Sequence, residues 1–405
     1  MDYRTKLRDL TLMIASSITI IGTTAIAAGL PRMGDAFAGT PDGPFLVRLS
    51  LTVPALSAGL CAPVMGLIVD RFGRKRLFVV ALLLYGVAGC AGAVLSSLSA
   101  ILLSRLLLGV AVSGVATCAT ALIADYTSRG QIGISMGRQS LFMALGNVVF
   151  VFLGGLLALQ GWRWPFLIYA VGFLLVPGVV LLLREPEAAA AGGPAQGEAA
   201  DERAPFGVMA VVYVLLFLNM VVYFMVPVNL PFYLRSFSGS GSAQAGALLS
   251  LVGLVWALTS TQYKRIARHL NYRQILVVAF LLIAAANVLL GLAGSYSVVL
   301  TALVLMGAGL AFAITNLNAW LLAITPARIK GRAIGIGVLC SFLGQFCSPL
   351  VVQPLVSEFG LATGYLAAGC LMAAVAATAA LLPAGRKALA AESAGALAGR
   401  GSSVR

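Results

Sequence analysis

The feature that most constrains this chain is a series of twelve apolar stretches, each of about 20 residues. A helix needs roughly 20 apolar residues to cross a bilayer, and it satisfies its own backbone groups where lipid cannot. Charged residues make up 10% of the chain, against roughly 25% in a soluble domain. The pattern predicts an all-α integral membrane protein with transmembrane spans 1 to 12 at residues 10–30, 45–69, 77–97, 99–124, 138–160, 164–183, 206–228, 245–262, 274–294, 297–324, 334–356 and 363–383.

Basic residues concentrate on one side of the predicted membrane. With the N-terminus in the cytoplasm, 22 of the 27 Lys and Arg residues fall on the cytoplasmic side, which is the usual bias of membrane proteins. Arg32, Arg48, Arg163 and Arg235 fall on the outer side, and Arg105 lies within span 4. The net charge of +14 therefore indicates orientation, and we expect no nucleic-acid partner. We predict a multi-pass protein of a bacterial inner membrane with both termini in the cytoplasm.

The apolar pattern divides the chain into two halves of six spans. The segment between them holds Pro, Gly, Ala and five acidic residues, which is typical of a flexible linker. Residues 68–77 align weakly with 266–275, at an offset of 198, and Leu30-Pro31 aligns with Leu230-Pro231, at an offset of 200. Such repeats build transporters whose halves rock about a central site. The predicted domains are a six-helix bundle at 1–184, a cytoplasmic linker at 185–205, a second bundle at 206–384 and a disordered tail at 385–405.

Several function classes are disfavoured by what the spans lack. The six cysteines are scattered over five spans without metal-ligand spacing, so we expect no metal and no cofactor. An intramembrane enzyme would need clustered His, Asp, Glu or Cys within the spans, and a receptor or scaffold would not need repeated halves. The sequence has no Gly-x-x-x-x-Gly-Lys loop, which argues against ATP as the driving force.

The loop between spans 2 and 3 carries the most specific motif. It reads Gly-Leu-Ile-Val-Asp-Arg-Phe-Gly-Arg-Lys-Arg over residues 66–76. This run resembles the signature loop of the major facilitator superfamily of transporters, which implies twelve helices in two pseudo-symmetric six-helix bundles. The positions that carry the resemblance are Gly66, Asp70, Arg71, Gly73, Arg74 and Lys75.

The resemblance implies a gating role for this loop. In the family the acid, here Asp70, meets the N-terminal end of helix 11, which would begin near Gly331, where unpaired backbone N–H groups favour an anion. Arg74 would reach Asp125 at the cytoplasmic end of span 4. Together these contacts would hold the cytoplasmic side shut. The alternative is a basic loop that only orients the protein.

Spans 4 and 5 resemble the drug:proton antiporter branch of the family. Arg105 stands four residues before a glycine, and the family ties this arginine to substrate binding or proton movement; snorkelling to the outer headgroups is the alternative. Span 5 keeps Gly146 and the pair Gly154-Gly155 of the antiporter signature. Phe150-Val151 replaces the Gly-Pro of that signature, which argues against antiport.

Proton coupling lacks an obvious carrier, because none of the 13 acidic residues lies deep in a span. Asp35, at the outer end of span 1, is the nearest candidate, and a solvated loop acid is the alternative. Arg105 is the second coupling candidate, through its pairing with a titrating substrate carboxylate.

Polar residues of several spans suggest a substrate path, because helices 1, 4, 7 and 10 line it in the family. Some of these side chains could instead join helices, and Asn316 and Asn318 cannot both face one path, being about 200° apart on a helix. Pro227 and Pro231 should break the outer end of span 7. The candidate substrate-binding residues are Thr23, Arg48, Arg105, Ser113, Gln139, Asn147, Asn219, Tyr223, Asn316, Asn318 and Gln345.

Arg48 and Arg105 are the charges nearest to this path, and both are positive. They favour an anionic or zwitterionic substrate. The sequence thus predicts a monomeric exporter of a small organic molecule, drug-like or a secreted metabolite such as a metal-chelating carboxylate, driven by protons across the lipid bilayer. The alternative is a facilitator or symporter that takes up a small organic anion.

Overall fold

The computed structural model describes residues 3–127, 131–185, 205–238, 241–326 and 329–381. Every regular element in these ranges is helical, as the apolar pattern predicted, so the all-α fold class is confirmed. Among the described residues, 3₁₀ turns at Ala27–Gly29, Ala91–Ala93 and Trp164–Ala170 connect successive α-helices. The α-helices are α1 (Tyr3–Ile21), α2 (Leu30–Ala36), α3 (Gly43–Phe72), α4 (Arg74–Cys90), α5 (Leu98–Tyr126), α6 (Ile132–Leu157), α7 (Val171–Leu182), α8 (Phe206–Ser238), α9 (Ser242–Ile266), α10 (Tyr272–Gly291), α11 (Tyr296–Ile324) and α12 (Lys330–Leu381).

Ten of the described helical segments are long and apolar enough to cross a membrane, against twelve predicted spans. Two predicted spans are therefore not found as separate segments. One of them is explained by α12, which contains both span 11 and span 12 and whose backbone is non-helical at Gly360, with φ 81° and ψ 163°. Span 1 accounts for the other. Its helix α1 ends at Ile21 and begins with the charged residues Arg4, Lys6, Arg8 and Asp9, which lower its mean hydropathy.

The structure of span 7 differs from the predicted helix break at its outer end. The helix α8 continues from Phe206 to Ser238 through both prolines, so the predicted break at Pro227 and Pro231 is wrong. Proline is tolerated in membrane helices because neighbouring groups satisfy the freed carbonyls.

Packing groups the described chain into two compact units that do not follow chain order. The first contains residues 1–195, 220–253 and 338–354, and the second contains 196–219, 254–337 and 355–405. The predicted division into halves along the chain stays a prediction. Nearly all of the predicted linker and the whole predicted tail from 385 lie outside the described residues.

The helix α5 lies at the centre of the first unit, where it packs against α1, α3 and α4. Its closest approach is to α3 at Gly109, where an added Cβ would lie 2.1 Å from the Pro54 carbonyl oxygen and 2.1 Å from the Ser57 hydroxyl. That hydroxyl donates to the Leu106 carbonyl at 2.7 Å. Only glycine fits at position 109, because interiors at this density leave no room for a methyl group.

Candidate functional site

The loop that links α3 to α4 is held by residues distant in sequence. Gly73 ends α3 with φ 87°, a conformation that favours glycine. The backbone N–H groups of Arg74 and Lys75, which begin α4, donate to the Glu185 carboxylate at 2.6 and 2.9 Å. A Cβ on Gly73 would lie 2.9 Å from the same carboxylate. Glu185 therefore caps α4 and, like any anion there, is stabilised by the helix dipole.

Side chains tie the same loop to the ends of α5 and α7. Arg74 forms an ion pair with Asp125, the partner that the sequence suggested. The Lys75 ammonium group donates to the Val180 carbonyl at 2.8 Å. The loop thus has a fixed shape within its own bundle.

The gating roles of this loop stay predictions. The side chain of Asp70 lies outside the described part of the chain, so its approach to Gly331 is untested. Arg71 is exposed, and an added Cβ at Gly66 or Gly331 would meet no atom within 4 Å. Glu185 was missed as a site residue because the sequence places it in the linker; its only signal is an acid directly after span 6.

Replacing Glu185 tests this cap. We expect Glu185→Ala to cost about 1 kcal/mol, because two N–H groups lose a charged acceptor at a partly exposed helix end. The thermal unfolding midpoint of the detergent-solubilised protein should fall by roughly 2–4 °C, and Glu185→Gln should fall less. Glu358→Ala, at an exposed acid on α12, is the matched control. An unchanged midpoint in Glu185→Ala would show that the cap adds nothing.

Arg105 is enclosed inside the helical bundle, with 0% of its surface exposed. Its Nη2 donates to the carbonyls of Gly89, at 2.6 Å, and Ala88, at 3.3 Å. The guanidinium lies over the rings of Phe166 and Tyr169, with 4.7 and 4.9 Å to the ring centroids. Its Nε and Nη1 have no hydrogen-bond partner within the described residues.

This environment excludes the snorkelling alternative for Arg105, because the enclosed side chain does not reach the surface in this structure. Sequence reasoning missed the enclosure because Phe166 and Tyr169 come from a 3₁₀ turn about 60 residues further along the chain. The predicted roles in substrate binding and coupling stay predictions.

The predicted path residues of α1 and α6 join helices instead of standing free. Gln139 donates to the hydroxyls of Ser16 and Thr120, each at 3.1 Å. The Thr24 hydroxyl donates to the amide oxygen of Asn147 at 3.3 Å. Thr23, in the turn after α1, donates to a carbonyl of its own helix. Their roles in binding substrate stay predictions.

The glycines that resemble the antiporter signature lie at close helix contacts. An added Cβ at Gly146 would come within 2.4 Å of the Ser17 Cβ on α1, and one at Gly154 within 2.2 Å of the Ala25 carbonyl oxygen. At Gly155 it would lie 2.8 Å from the Cα of Gly246 on α9. This part of the signature therefore serves packing, because glycine lets two helices approach closely.

The other predicted path residues differ in whether their polar groups form hydrogen bonds within the described structure. Asn316 is fully engaged: it accepts from the Tyr263 hydroxyl at 3.1 Å and donates to the Tyr272 carbonyl at 2.7 Å. Asn318 is exposed, as expected for the opposite helix face. Hydrogen-bonding groups without a partner among the described residues occur on Ser113, at its hydroxyl, and on Asn219, at both amide atoms. Tyr223 and Gln345 are half-buried.

A cavity of about 210 Å³ lies among α1, α5 and α6. Its walls are mostly apolar, and its polar lining comes from two charged residues and three hydroxyl groups. The sequence did not single these residues out. The polar lining residues are Asp9, Tyr126, Thr127, Ser135 and Arg138.

The remaining predicted residues, Arg48 and Asp35, contact α8. Arg48 donates from Nε to the Asn229 amide oxygen at 3.2 Å, and its guanidinium lies 4.2 Å from the Phe232 ring centroid. Asp35 forms an ion pair with Arg235, with 2.6 Å between Oδ2 and Nη1. We call Asp35, Arg48, Asn229, Phe232 and Arg235 the outer cluster. Asp35 is thus paired and lies in α2, although its side chain is also exposed, so its role in coupling stays a prediction.

No group of three or more potential metal ligands occurs among the described residues. What the first unit offers chemically is a set of cations, at Arg48, Arg105 and Arg138, together with an unused hydroxyl group on Ser113. Side chains of these types are suited to binding an anion.

Comparisons with known proteins point to a single family. The family model of the Major Facilitator Superfamily matches residues 12–344 and 212–401. The chain is 31% identical to the Bacillibactin exporter of Bacillus subtilis (strain 168) over 156 residues, which is 37% of this chain and 38% of that relative. The matched stretch therefore spans well under half of the length of that relative.

A longer sequence match points to the same family, and a solved structure has the same fold. The chain is 25% identical to the Multi-drug resistance efflux pump PmrA of Streptococcus pneumoniae serotype 4 over 338 residues, 80% of this chain and 82% of the relative. The crystal structure of a D-xylose-proton symporter superimposes with a TM-score of 0.76 at 16% identity, covering 95% of this chain and 98% of that one. The fold and the family are those of transporters and not of enzymes, and this chain belongs to the Major Facilitator Superfamily.

Proposed function

We propose that this transporter exports a small organic molecule that carries a negative charge, driven by a proton gradient. The family supplies the transport activity, and two relatives are named as an exporter and an efflux pump. The observation that carries the substrate charge is Arg105, a fully buried cation with two unused N–H-bearing nitrogens and no carboxylate bonded to it among the described residues. A carboxylate of the substrate, drug-like or metal-chelating, supplies the missing partner.

The proposed path uses the cations in sequence. The cavity lined by Arg138 receives the substrate from the cytoplasm, because its mostly apolar walls suit an amphipathic molecule and Arg138 offers a cation beside Asp9. Rearrangement then brings Arg105 and the unused groups of Ser113 and Asn219 to the substrate. Arg48 guides release on the outer side. Thr23, Gln139, Asn147, Tyr223, Asn316, Asn318 and Gln345 complete the proposed lining.

Gating and coupling follow from the charged groups at the two ends. Asp70 and Gly331 latch the cytoplasmic side, with Gly66, Arg71, Gly73, Arg74 and Asp125 giving the loop its shape. A substrate carboxylate that gains a proton loses its attraction to Arg105, which couples release to pH. Asp35 serves as carrier only if its pairing with Arg235 breaks during the cycle. The protein acts as a monomer in the bacterial inner membrane with both termini in the cytoplasm.

A second candidate is a facilitator or symporter that takes up an organic anion. The replacement of the Gly-Pro pair of the antiporter signature by Phe150-Val151 favours it.

Proteoliposomes with an imposed pH gradient test both candidates. Anionic carboxyfluorescein, citrate and cationic ethidium serve as probes, and transport is followed in both directions. We expect gradient-driven export of the anions. Arg48→Gln should slow anion transport about tenfold, since a lone opposite charge is worth on the order of 1–4 kcal/mol near a protein surface. Arg163→Gln, at an exposed outer arginine, is the control.

The alternatives give different results in this assay. Equilibration of the anions without accumulation and without any response to the pH gradient would identify a facilitator, and gradient-driven accumulation in the opposite direction a symporter. Transport of ethidium alone, unchanged in Arg48→Gln, would refute the anionic substrate.

A further inference from the structure

The ion pair between Asp35 and Arg235 joins equivalent positions of the two internal repeats. The alignment of Leu30-Pro31 with Leu230-Pro231 has an offset of 200 residues, and the same offset carries position 35 to position 235. Both residues follow their proline by four positions. The Arg235 guanidinium donates to the Asp35 carboxylate at 2.6 Å and reaches the carbonyl of Pro31 at 3.5 Å.

Equivalent residues contact each other only beside the axis that relates the repeats. At a two-fold contact, residue i of one copy that meets j is matched by j meeting i, so a residue on the axis meets its own counterpart. If the repeats were identical, position 35 would bring two like charges together, and like charges repel. Here the two copies have diverged to opposite signs, which converts the axial position from a repulsive contact into an attractive one.

Contacts next to this ion pair also join residues of the first repeat to α8. The Phe232 ring lies 3.6 Å from where a Cβ on Gly34 would be, so the ring packs against that glycine. The Arg48 guanidinium lies 4.2 Å from the centroid of the same ring and donates a hydrogen bond to Asn229. All of these residues belong to one compact unit, which groups residues 1–195 with 220–253. The outer cluster therefore fastens the start of the second repeat to the first.

We propose that Asp35 and Arg235 are positioning residues of the transport cycle, a repeat-related pair that closes the outer entrance and separates when it opens. Phe232 and the bond between Arg48 and Asn229 seal the same entrance. This inference requires alternating access by the family fold, but it does not depend on export, proton coupling or an anionic substrate.

The strength of the pair suits a gate that opens in every cycle. The side chains are 52% exposed at Arg235 and 59% exposed at Asp35. Exposed ion pairs shift an equilibrium by a factor of about two to five, so the pair biases the entrance toward closure without locking it.

Hydrogen–deuterium exchange of the purified protein in lipid nanodiscs tests this gate without any substrate. We expect Asp35→Asn and Arg235→Gln each to raise exchange about two- to fivefold in peptides covering 27–43 and 228–238, because the entrance opens more often. Asp35→Arg, which places arginine at both repeat positions, should raise it further. The swap of Asp35→Arg with Arg235→Asp should return exchange to the wild-type level.

Two comparisons make the outcome decisive. Arg163→Gln, at another outer arginine, should leave both peptides unchanged, and peptides of α10 should not respond in any variant. Restoration by the swap supports the pair, since general loss of stability would not be reversed by a second substitution. Unchanged exchange in Arg235→Gln, or a swap that exchanges as fast as Asp35→Arg, would overturn the proposal.

Discussion

Gly109→Ala is expected to destabilise the protein on the order of 3 kcal/mol and to reduce the yield of monodisperse protein. The new Cβ would lie 2.1 Å from both the Pro54 carbonyl oxygen and the Ser57 hydroxyl. The hydroxyl can rotate away, but the carbonyl belongs to the backbone of α3, so the two helices must separate. Overpacking of a dense interior costs about 1–3 kcal/mol and sometimes more. Thermal unfolding in detergent and size-exclusion profiles measure the effect.

A matched glycine should respond in the opposite direction. Gly137 lies inside α6, and a Cβ there would meet no atom within 4 Å. Gly137→Ala should therefore stabilise the helix by up to about 1 kcal/mol, because alanine has the higher helix propensity. If Gly109→Ala unfolded at the wild-type temperature, α3 and α5 would not be packed as closely as the structure shows.

Arg105→Met is expected to abolish anion transport while leaving the fold as stable as before, or more stable. The guanidinium is fully buried and no carboxylate bonds to it among the described residues, so its charge is costly to enclose. Replacing buried charges with apolar residues of similar size is often neutral or stabilising by about 1–4 kcal/mol. Methionine also packs well against the Phe166 and Tyr169 rings. Residues that lower stability in this way persist where function needs them.

The measurement pairs the unfolding midpoint with transport of carboxyfluorescein in proteoliposomes. Arg105→Lys should keep the charge but lose the planar guanidinium that lies over the Phe166 and Tyr169 rings, so its transport should fall as well. Arg163→Met should change neither quantity. If Arg105→Met greatly lowered the unfolding midpoint but retained transport, Arg105 would have a structural role and would not belong to the substrate path.

The fold was largely predictable because hydropathy is a local property. Each apolar stretch of the sequence overlaps described helix, and the loop motif placed Gly73 and Arg74 at a helix junction. The turn after Ile21 was not predictable, because it lies within an apolar stretch where composition gives no sign of it. The non-helical Gly360, by contrast, lies between predicted spans 11 and 12, where the sequence indicated an interruption.

The site was less predictable because partners are set by packing between distant segments. Arg74 and Asp125 were paired only through the family resemblance. Glu185 lies 111 residues from the N–H group that it accepts from. An amide such as Asn316 looks the same in sequence whether it faces a path or joins two helices, and the structure shows the latter.

The cap that Glu185 places on α4 has a consequence for dividing this protein into co-expressed fragments. A first fragment that stops at the end of α7, at Leu182, would contain α1 to α7 and still lack the acceptor for the first N–H groups of α4. A fragment built on these seven helices must therefore extend past their last residue. Chain breaks, fusion partners and protease sites therefore belong beyond residue 185.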